Sequence, residues 1–333
     1  MNSLGEYIPN EYCLYENDAT YPEKGLRGLN WKGQLKFKAF LFRDDQKLKG
    51  LYKKTISKKE CYVGPFWGEF GNFLLHFLPF VMHLHKFGIK VHVICLGHYE
   101  SFFRDENAKV IYSSFYRLSK DFLLDAPNGN SIRKIPAQFS KIYNQVKKTS
   151  SLNEIPFFDL FDSNFYWYSF RNWQLNGKQN FLEIHKGVKK KNKVVLFPRL
   201  KGPEYTLNNG ARLDYDHTTE TLADYFDEVV VVGLPEMSAN SQYRNPKVRN
   251  RIGDNDVVLK ECSEASLIVS QHSGAIHVGL YTNTTSLIIY HGVLPIKGLD
   301  DSIRFRANTD VPLYLVTSDI KLKEFLTEFK SIN

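Results

Sequence analysis

The clearest pattern of apolar and polar residues lies in the first half of the chain. Residues 60–67 (ECYVGPFW) form an apolar run of strand length, and a glycine-containing turn follows at 68–72 (GEFGN). Residues 73–88 (FLLHFLPFVMHLHKFG) have the length and apolar content of a buried helix, and Gly88 is suited to end it. Residues 89–97 (IKVHVICLG) are again strand-like. The order strand, turn, helix, strand predicts a β-α-β unit, the building block of a parallel sheet.

The segments on either side of this unit have weaker patterns. Residues 108–114 are predicted to form a strand, residues 136–148 a helix, and residues 157–170 are an aromatic stretch. Upstream, residues 34–42 (QLKFKAFLF) alternate between polar and apolar side chains, which is typical of a strand. We therefore expect residues 1–58 to form an irregular N-terminal extension that contains a hairpin.

In the second half, the alternation of strands and helices restarts after a run of lysines. Residues 228–233 (EVVVVG) form a continuous β-branched run, which is typical of a parallel strand buried on both faces. The last segment has the pattern of an amphipathic helix, with Ser318 or Asp319 as its cap. The predicted strands are 193–198, 228–233, 266–271 and 285–292, and the predicted helices are 218–226, 255–265, 274–282 and 318–332.

These patterns divide the 333 residues into two halves, in keeping with roughly 100 to 200 residues per domain. Each half predicts an α/β fold with a Rossmann-like parallel sheet, and ligands of such sheets bind beyond the carboxyl ends of the strands. Two sheets that face each other would form a cleft. The predicted segments are an extension (1–58), an N-terminal domain (59–183), a linker (184–192), a C-terminal domain (193–316) and a final helix (317–333).

The charge balance favours anionic partners. Lys and Arg number 44 and Asp and Glu 36, a net charge of +8, which suits nucleotides, phosphates, acidic glycans or a membrane surface. The longest basic run, residues 186–193 (KGVKKKNK), is predicted to be a solvated linker, with a membrane or nucleic-acid patch as the alternative. The sequence contains neither an arginine-aromatic repeat nor zinc-finger spacing, so no nucleic-acid partner is expected.

Cysteine usage and hydropathy favour a reducing compartment. The four cysteines form no CxxC pair, which predicts buried free thiols. Residues 1–12 lack the basic-then-apolar order of a secretion signal. The most apolar stretch, 73–87, is interrupted by His76 and Pro79 and is shorter than the ~20 apolar residues of a membrane span. We expect a cytoplasmic protein, with peripheral contact to the inner face of the membrane as a further expectation.

Polar residues are concentrated where one predicted strand of the second half ends, in residues 270–281 (SQHSGAIHVGLY). Ser273 and Gly274 stand at the start of a predicted helix, where backbone N–H groups and the helix dipole favour an anion. Gly274 permits close approach of a phosphate, and His277, one turn later, can donate a hydrogen bond to it. The alternative is structural, with Ser273 as an N-cap, Gly274 in a tight turn and His277 packed against the next element.

Charged residues follow two other predicted strands of the same half. Arg199 comes directly after 193–198 and can hold a diphosphate through two hydrogen bonds, and Lys201 is a second cation. Glu236 follows 228–233, and a carboxylate in such a position can bind the two hydroxyls of a ribose. Together these residues predict a nucleotide-diphosphate site. The alternatives are a surface arginine and an acidic residue at a helix start.

The glycine turn of the first half offers catalytic groups. Glu69 is the only carboxylate of this turn and can act as a general base on a substrate hydroxyl. Gly68, Gly71 and Asn72 complete the turn as an acceptor loop, with Asn72 predicted to cap the following helix. His76, on the first turn of that helix, is a second catalytic candidate, with core packing as the alternative.

Three stretches resemble a known enzyme family. Residues 67–96 (WGEFGNFLLHFLPFVMHLHKFGIKVHVICL) resemble the opening β-loop-α-β of GT-B glycosyltransferases, particularly the ADP-heptose lipopolysaccharide heptosyltransferase family. Residues 265–292 (ASLIVSQHSGAIHVGLYTNTTSLIIYHG) resemble its C-terminal signature, and residues 228–237 (EVVVVGLPEM) its strand followed by Gly and Glu. The resemblance implies two Rossmann-like domains facing across a cleft, with the acceptor in the first, the donor in the second, and a final helix that crosses back to the first.

The resemblance also implies residue roles. Ser273, Gly274 and His277 would hold the donor diphosphate, Glu236 the donor ribose, and Arg199 the phosphate.

Two positions depart from the family pattern. The aspartate base of the family is Asn72 here, and an amide cannot take up a proton, so Glu69 is the expected base. The aspartate that touches the donor sugar is His272 here, which implies a different donor sugar.

We therefore expect an inverting, metal-independent glycosyltransferase of hexosyl or heptosyl type. It would move a sugar from a nucleotide-diphosphate sugar to a hydroxyl of a glycan or glycolipid of the capsule or lipopolysaccharide, without a cofactor. The pair Asp214 and Asp216 has metal-ligand spacing but lies in a polar loop before a predicted helix, so no metal is expected there. The alternatives are a polysaccharide pyruvyltransferase or sugar epimerase of the same fold, and a non-catalytic glycan-binding relative, which Asn72 favours.

Overall fold

A computed structural model describes residues 30–68, 70–105, 107–118, 137–160, 187–199, 213–235, 238–239, 242–291 and 309–332. The chain divides into two compact units between residues 181 and 182. The first unit contains the described residues up to 160, and the second contains those from 187 onwards.

The first unit is built around a parallel sheet. Its strands are β1 (Glu60–Phe66), β2 (Lys90–Leu96), β3 (Ser114–Leu118) and β4 (Phe157–Asp159), and its helices are α1 (Trp31–Lys58), α2 (Leu78–Lys86) and α3 (Ala137–Leu152). An α-helical turn (Phe70–Asn72) and a π-helical turn (Phe73–Phe77) lead into α2. The strand order is β3-β2-β1-β4, and all neighbours are parallel. The strand predicted at 108–114 is therefore displaced, since β3 begins at Ser114.

A glycine bends β1 where it touches β2. Gly64 has φ = +131°, and a Cβ atom at this position would lie 2.3 Å from the carbonyl oxygen of Ile94. No other residue type fits both the backbone conformation and this contact. The pairing of β1 with β2 shifts register between Val63 and Phe66, on either side of this glycine.

The segment 31–58 is a single α-helix, so the prediction of an irregular extension with a hairpin is wrong for the described part of 1–58. Asn30 caps α1 by accepting a hydrogen bond from the backbone N–H of Gly33 at 2.9 Å. The alternation at 34–42 is short, whereas apolar residues at Leu41, Leu48 and Leu51 recur at helical spacing over a longer stretch. No helix among the described residues is both long and apolar enough to cross a bilayer.

The second unit has a larger parallel sheet. Its strands are β5 (Lys190–Phe197), β6 (Glu228–Val231), β7 (Val248–Asn250), β8 (Ala265–Ser270), β9 (Thr285–Ile289) and β10 (Leu313–Val316). Its helices are α4 (Tyr215–Tyr225), α5 (Asn255–Glu264), α6 (Gly279–Thr282) and α7 (Asp319–Ile332). The strand order is β10-β9-β8-β5-β6-β7 with all neighbours parallel, which is the doubly wound order of Rossmann sheets. The predicted α/β fold with two parallel sheets is confirmed.

The last helix belongs to the core of the second unit. Leu322, Phe325 and Phe329 of α7 are buried in one cluster with side chains of β5, β8 and β9. Ser318 caps α7 by accepting from the backbone N–H of Lys321 at 3.2 Å, as predicted. The apolar face of α7 is thus used within its own unit, and its crossing back to the first domain remains a prediction.

The lysine run is not a solvated linker, because three of its lysines have defined partners. Lys189 donates to the carbonyl oxygen of Thr282 at 2.8 Å, and Lys190 lies 3.2 Å from the carboxylate of Glu264. Lys193, in β5, is 1% exposed and lies 2.6 Å from Glu261 and 2.8 Å from Glu264. Burial alone would lower the pKa of Lys193, but its hydrogen bonds to the two carboxylates raise this pKa above its ordinary value. The run therefore joins β5 to the acidic end of α5.

Three cysteines are buried free thiols, as predicted: Cys61, Cys95 and Cys262. Burial raises the pKa of each thiol above its ordinary value, so the neutral form is favoured at neutral pH. Cys13 lies outside the described residues.

Candidate functional site

The strand order of the second sheet reverses between β5 and β8. From β5 the chain continues outward through β6 and β7, and then returns to the other side of β5 to form β8, β9 and β10. Phe197 at the end of β5 pairs with Ser270 at the end of β8, so Arg199 and His272 lie at equivalent positions beyond the two strands. Ligands of doubly wound sheets bind at this reversal point, beyond the carboxyl ends of the strands.

Arg199 connects the loops that follow three strands. Its Nη1 donates a hydrogen bond to the carbonyl oxygen of His272, beyond β8. Its backbone forms an antiparallel bridge with Ser238, in the segment that follows β6. The structure thus brings Arg199 together with the 270–274 junction, two features predicted separately from the sequence. The contact orients the guanidinium, whose positive charge remains at the reversal point.

Tyr215 and Gln271 form a second connection between the same strand ends, which no sequence pattern predicts. The Tyr215 hydroxyl lies 2.9 Å from the Arg199 carbonyl oxygen and 2.9 Å from Gln271 Oε1. Tyr215 is 6% exposed and Gln271 is 3% exposed, so both polar groups depend on protein partners. The pair holds the ends of β5 and β8 at a fixed separation.

The neighbouring aspartates of Tyr215 have a structural explanation. Asp214 is the N-cap of α4 and accepts a hydrogen bond from the backbone N–H of His217 at 3.0 Å, and Asp216 lies in the first helical turn. Acidic residues are favoured at both positions by the exposed N–H groups of a helix start.

The junction after β8 begins with a capped 3₁₀ turn. Ser273 has an extended backbone, and its Oγ accepts from the Ala275 N–H at 3.3 Å and lies 3.1 Å from Ser270 Oγ. The helix predicted at 274–282 is 3₁₀ over Gly274–Val278 and α-helical only over Gly279–Thr282. The N-cap role of Ser273 is therefore observed directly, and it directs the Ser273 hydroxyl towards the start of the turn.

His277 lies on the 3₁₀ turn and is 3% exposed. Its role at the donor diphosphate remains a prediction, as does the alternative of packing against the next element. The carbonyl oxygen of Ile276, next to it, accepts from the Ser286 hydroxyl at 3.0 Å, which ties the turn to β9.

The glycine turn of the first unit also lies at a reversal point, since β4 returns to the other side of β1. The carbonyl oxygen of Gly68 accepts a hydrogen bond from the Tyr99 hydroxyl at 3.1 Å. Tyr99 stacks on Phe73 with ring centroids 4.2 Å apart. These contacts hold Gly68, at the start of the turn, against an aromatic core. Gly71 lies in the short helical turn that follows.

The predicted cap of the next helix is wrong. Asn72 has helical dihedral angles (φ −65°, ψ −35°) and its side chain makes no capping hydrogen bond to any described residue. A cap residue has an extended backbone, whereas the helical turn here begins two residues earlier, at Phe70. His76 lies in the π-helical turn and is 4% exposed, and its catalytic role remains a prediction beside core packing.

Asp159 is a polar residue of this reversal point that the sequence reasoning missed. It ends β4 directly beside Gly64 of β1, and its Oδ2 accepts a hydrogen bond from the Tyr143 hydroxyl at 2.6 Å. The Asp159 side chain is 10% exposed, and the Nζ of Lys147 lies 3.9 Å from Oδ2. Because residues 157–170 are rich in aromatic side chains, the sequence pattern did not single out Asp159 as a site residue.

Three predicted site residues, Glu69, Lys201 and Glu236, lie outside the described residues. The roles assigned to them remain predictions.

Known proteins are similar to this chain in fold and not in sequence. No protein-family model and no curated protein sequence matches it. The chain is similar to a glycosyl transferase family 9 structure from Veillonella parvula DSM 2008, with a TM-score of 0.43 and 13% identity over 81% of this chain and 89% of that chain. It is also similar to the glycotransferase of kitacinnamycin (TM-score 0.41, 10% identity, 82% and 90% covered) and to the glycosyltransferase SnogD from Streptomyces nogalater (TM-score 0.40, 8% identity, 82% and 93% covered).

Replacing Tyr215 by Phe should lower the free energy of unfolding by about 1–2 kcal/mol, because the buried Gln271 side chain loses a hydrogen-bond partner. Denaturant titration measures the loss. Tyr225→Phe is the matched control, since its hydroxyl makes longer, exposed contacts of 3.3–3.4 Å to α7 and should matter little. Equal stability of the Tyr215 variant and the wild type would refute the connecting role of Tyr215.

Proposed function

We propose that the protein is an inverting GT-B glycosyltransferase that transfers a sugar from a nucleotide-diphosphate sugar to a hydroxyl of a surface glycan or glycolipid. The observation that carries this proposal is the link between Arg199 and the junction after β8. It holds a permanent positive charge beside the capped turn at Ser273 and Gly274, at the reversal point of a doubly wound sheet. Nucleotides bind such sheets at this point, with their phosphates against loop backbone.

In the proposed reaction, the acceptor hydroxyl attacks the anomeric carbon of the donor sugar. The new C–O bond forms as the bond from that carbon to the phosphate oxygen breaks, and the nucleoside diphosphate leaves with the bonding electron pair. Arg199 would stabilise the charge that develops on the diphosphate, with Lys201 as a second cation. Glu69 would take up the proton of the acceptor hydroxyl.

The remaining assignments follow the same chemistry. Glu236 would accept hydrogen bonds from the donor ribose, and His272 would contact the donor sugar. Because cationic side chains would neutralise the leaving group, we propose a reaction that requires no metal ion. Capsule polysaccharide and lipopolysaccharide are the proposed acceptors.

A panel of nucleoside diphosphates tests the donor site. We expect one of UDP, GDP, ADP or CDP to stabilise the protein by about 2.7 kcal/mol when present at ~100 times its dissociation constant. Differential scanning fluorimetry measures the shift, and the corresponding nucleoside monophosphate and inorganic pyrophosphate serve as controls. Stabilisation by pyrophosphate to the same extent would indicate an anion site without nucleotide recognition. The absence of a shift with every nucleotide would refute the proposed function.

A further inference from the structure

Three large apolar side chains on the outward face of α1 are exposed to solvent. Trp31 is 67% exposed, Leu35 58% and Phe42 67%. At 3.6 residues per turn, these positions lie within about 40° of one another around the helix axis. They therefore form one apolar stripe along the N-terminal half of α1.

Basic residues flank and interrupt this stripe. Lys38 and Lys53 lie within the arc of the stripe, and Lys32, Lys36 and Lys54 lie about 80–120° from its centre on one side, all exposed. The helix as a whole contains nine Lys and Arg residues and two Asp residues, a net charge of +7.

The opposite side of α1 is fixed to the first unit. Thr55 is fully buried, and the Tyr52 hydroxyl lies 3.0 Å from His83 Nε2 of α2. Lys58 forms an ion pair with Glu154 at 3.3 Å. Because the C-terminal half of α1 is held against β1 and β4, its rotation about its own axis is set, and the stripe faces solvent.

We propose that α1 is an interfacial helix that binds the surface of a bilayer containing anionic lipids. Exposed Trp, Leu and Phe side chains would enter the boundary between headgroups and acyl chains, and the lysines around them would contact lipid phosphates. A nucleic acid would use the lysines but leave the apolar stripe in water, so the combination of both favours a bilayer. The high charge of α1 requires it to lie along the surface, over a length of about 42 Å. This inference does not depend on the proposed transferase function.

Vesicle flotation with the full-length protein tests the proposal. We expect binding to vesicles of phosphatidylcholine and phosphatidylglycerol in a 7:3 ratio, weakening as salt increases, and little binding to phosphatidylcholine alone. Two triple variants separate the contributions, W31S/L35S/F42S for the apolar stripe and K36Q/K38Q/K53Q for the charge. Each should bind the mixed vesicles about 100-fold more weakly. All six residues lie on the surface, and melting temperature and circular dichroism verify that the variants fold.

A matched control and a competing ligand complete the test. The control is the double variant I320S/K323Q on α7. Ile320 is 71% exposed, as exposed as the apolar residues of the stripe, and the double variant should leave vesicle binding unchanged. The proposal fails if the mixed vesicles are not bound, or if the control variant weakens binding as much as the triple variants. It also fails if the protein binds a DNA duplex more tightly than the vesicles and W31S/L35S/F42S retains that affinity, since α1 would then be a nucleic-acid surface.

Discussion

Replacing Lys193 by Met should lower the free energy of unfolding by about 3–5 kcal/mol. The side chain is 1% exposed, and its Nζ lies 2.6 Å from Glu261 and 2.8 Å from Glu264. Methionine retains most of the volume but leaves the two carboxylates without the buried cation. Glu261, whose side chain is only 9% exposed, would keep only the 3.6 Å contact to the half-exposed Arg251, and its poorly compensated charge accounts for most of the expected loss. Denaturant titration at pH 7 measures it.

Lys190→Met is the matched control for this variant. Lys190 lies on the same strand and contacts Glu264 at 3.2 Å, but its side chain is 53% exposed, so its loss should matter by less than about 1 kcal/mol. The double variant K193M/E261L should regain much of the stability, because an apolar pair can replace a buried ion pair. Equal losses from the two single lysine variants would contradict the explanation by buried charge.

Lowering the pH should reduce the difference in the free energy of unfolding between Lys193→Met and the wild type. The hydrogen bond from Lys193 lowers the pKa of Glu264 from its ordinary value of 4.5, although burial opposes this shift. A carboxyl group with a lowered pKa stabilises the folded state above its unfolded pKa, and this stabilisation is lost as the pH falls through the folded pKa. The wild type therefore has a larger contribution to lose on acidification than the variant, in which only Lys190 still contacts Glu264 and lowers its pKa. The free energies of unfolding of Lys193→Met and the wild type should differ most near pH 7 and less near pH 3.

The central strands could be predicted because they are buried on both faces. The runs at 60–67, 89–97, 266–271 and 285–292 correspond to β1, β2, β8 and β9 with their ends displaced by at most three residues. A strand covered on both sides needs apolar side chains at nearly every position, so its pattern is continuous and easily recognised.

Edge strands and the first helix gave weaker signals. β7 and β10 contain three and four residues and lie at the two edges of the second sheet, where a short strand has little apolar pattern. In α1, a local alternation of Lys and Phe is typical of a strand, whereas the helical spacing of the apolar residues is recognisable only over the full 28 residues. The lysine run was misread because Lys193 pairs with carboxylates 68 and 71 residues away, and charge alone does not reveal burial.

At the candidate site, the sequence located strand ends but not the contacts between them. Arg199 and Ser273 were recognisable as polar residues that follow apolar runs, and the structure brings their loops together. Tyr215 and Gln271 escaped notice because their hydrogen bond joins residues 56 positions apart, and each has an ordinary local context.

If the protein is the proposed glycosyltransferase, replacing Arg199 by Met should reduce the rate of sugar transfer about 100- to 1000-fold. If Arg199 stabilises the leaving diphosphate, its loss acts mainly on the transition state, where the negative charge is largest. The same variant should weaken binding of the cognate nucleoside diphosphate to a smaller extent. Single-turnover kinetics with a sugar donor that carries the nucleotide identified in the panel measures the rate, and isothermal titration with that nucleoside diphosphate measures the affinity.

Two further variants distinguish a catalytic from a merely structural role of Arg199. Arg199→Lys keeps the charge but not the planar group that binds the His272 carbonyl, so it should retain part of the activity if charge matters most. Arg249→Met removes an arginine that is 68% exposed on β7 of the same sheet and should change neither rate nor affinity. If Arg199→Met only lowered stability, its loss of activity would disappear at low temperature, where the folded fraction recovers. A rate that stays low in fully folded protein, with nucleotide still bound, is the result that places the guanidinium on the reacting diphosphate.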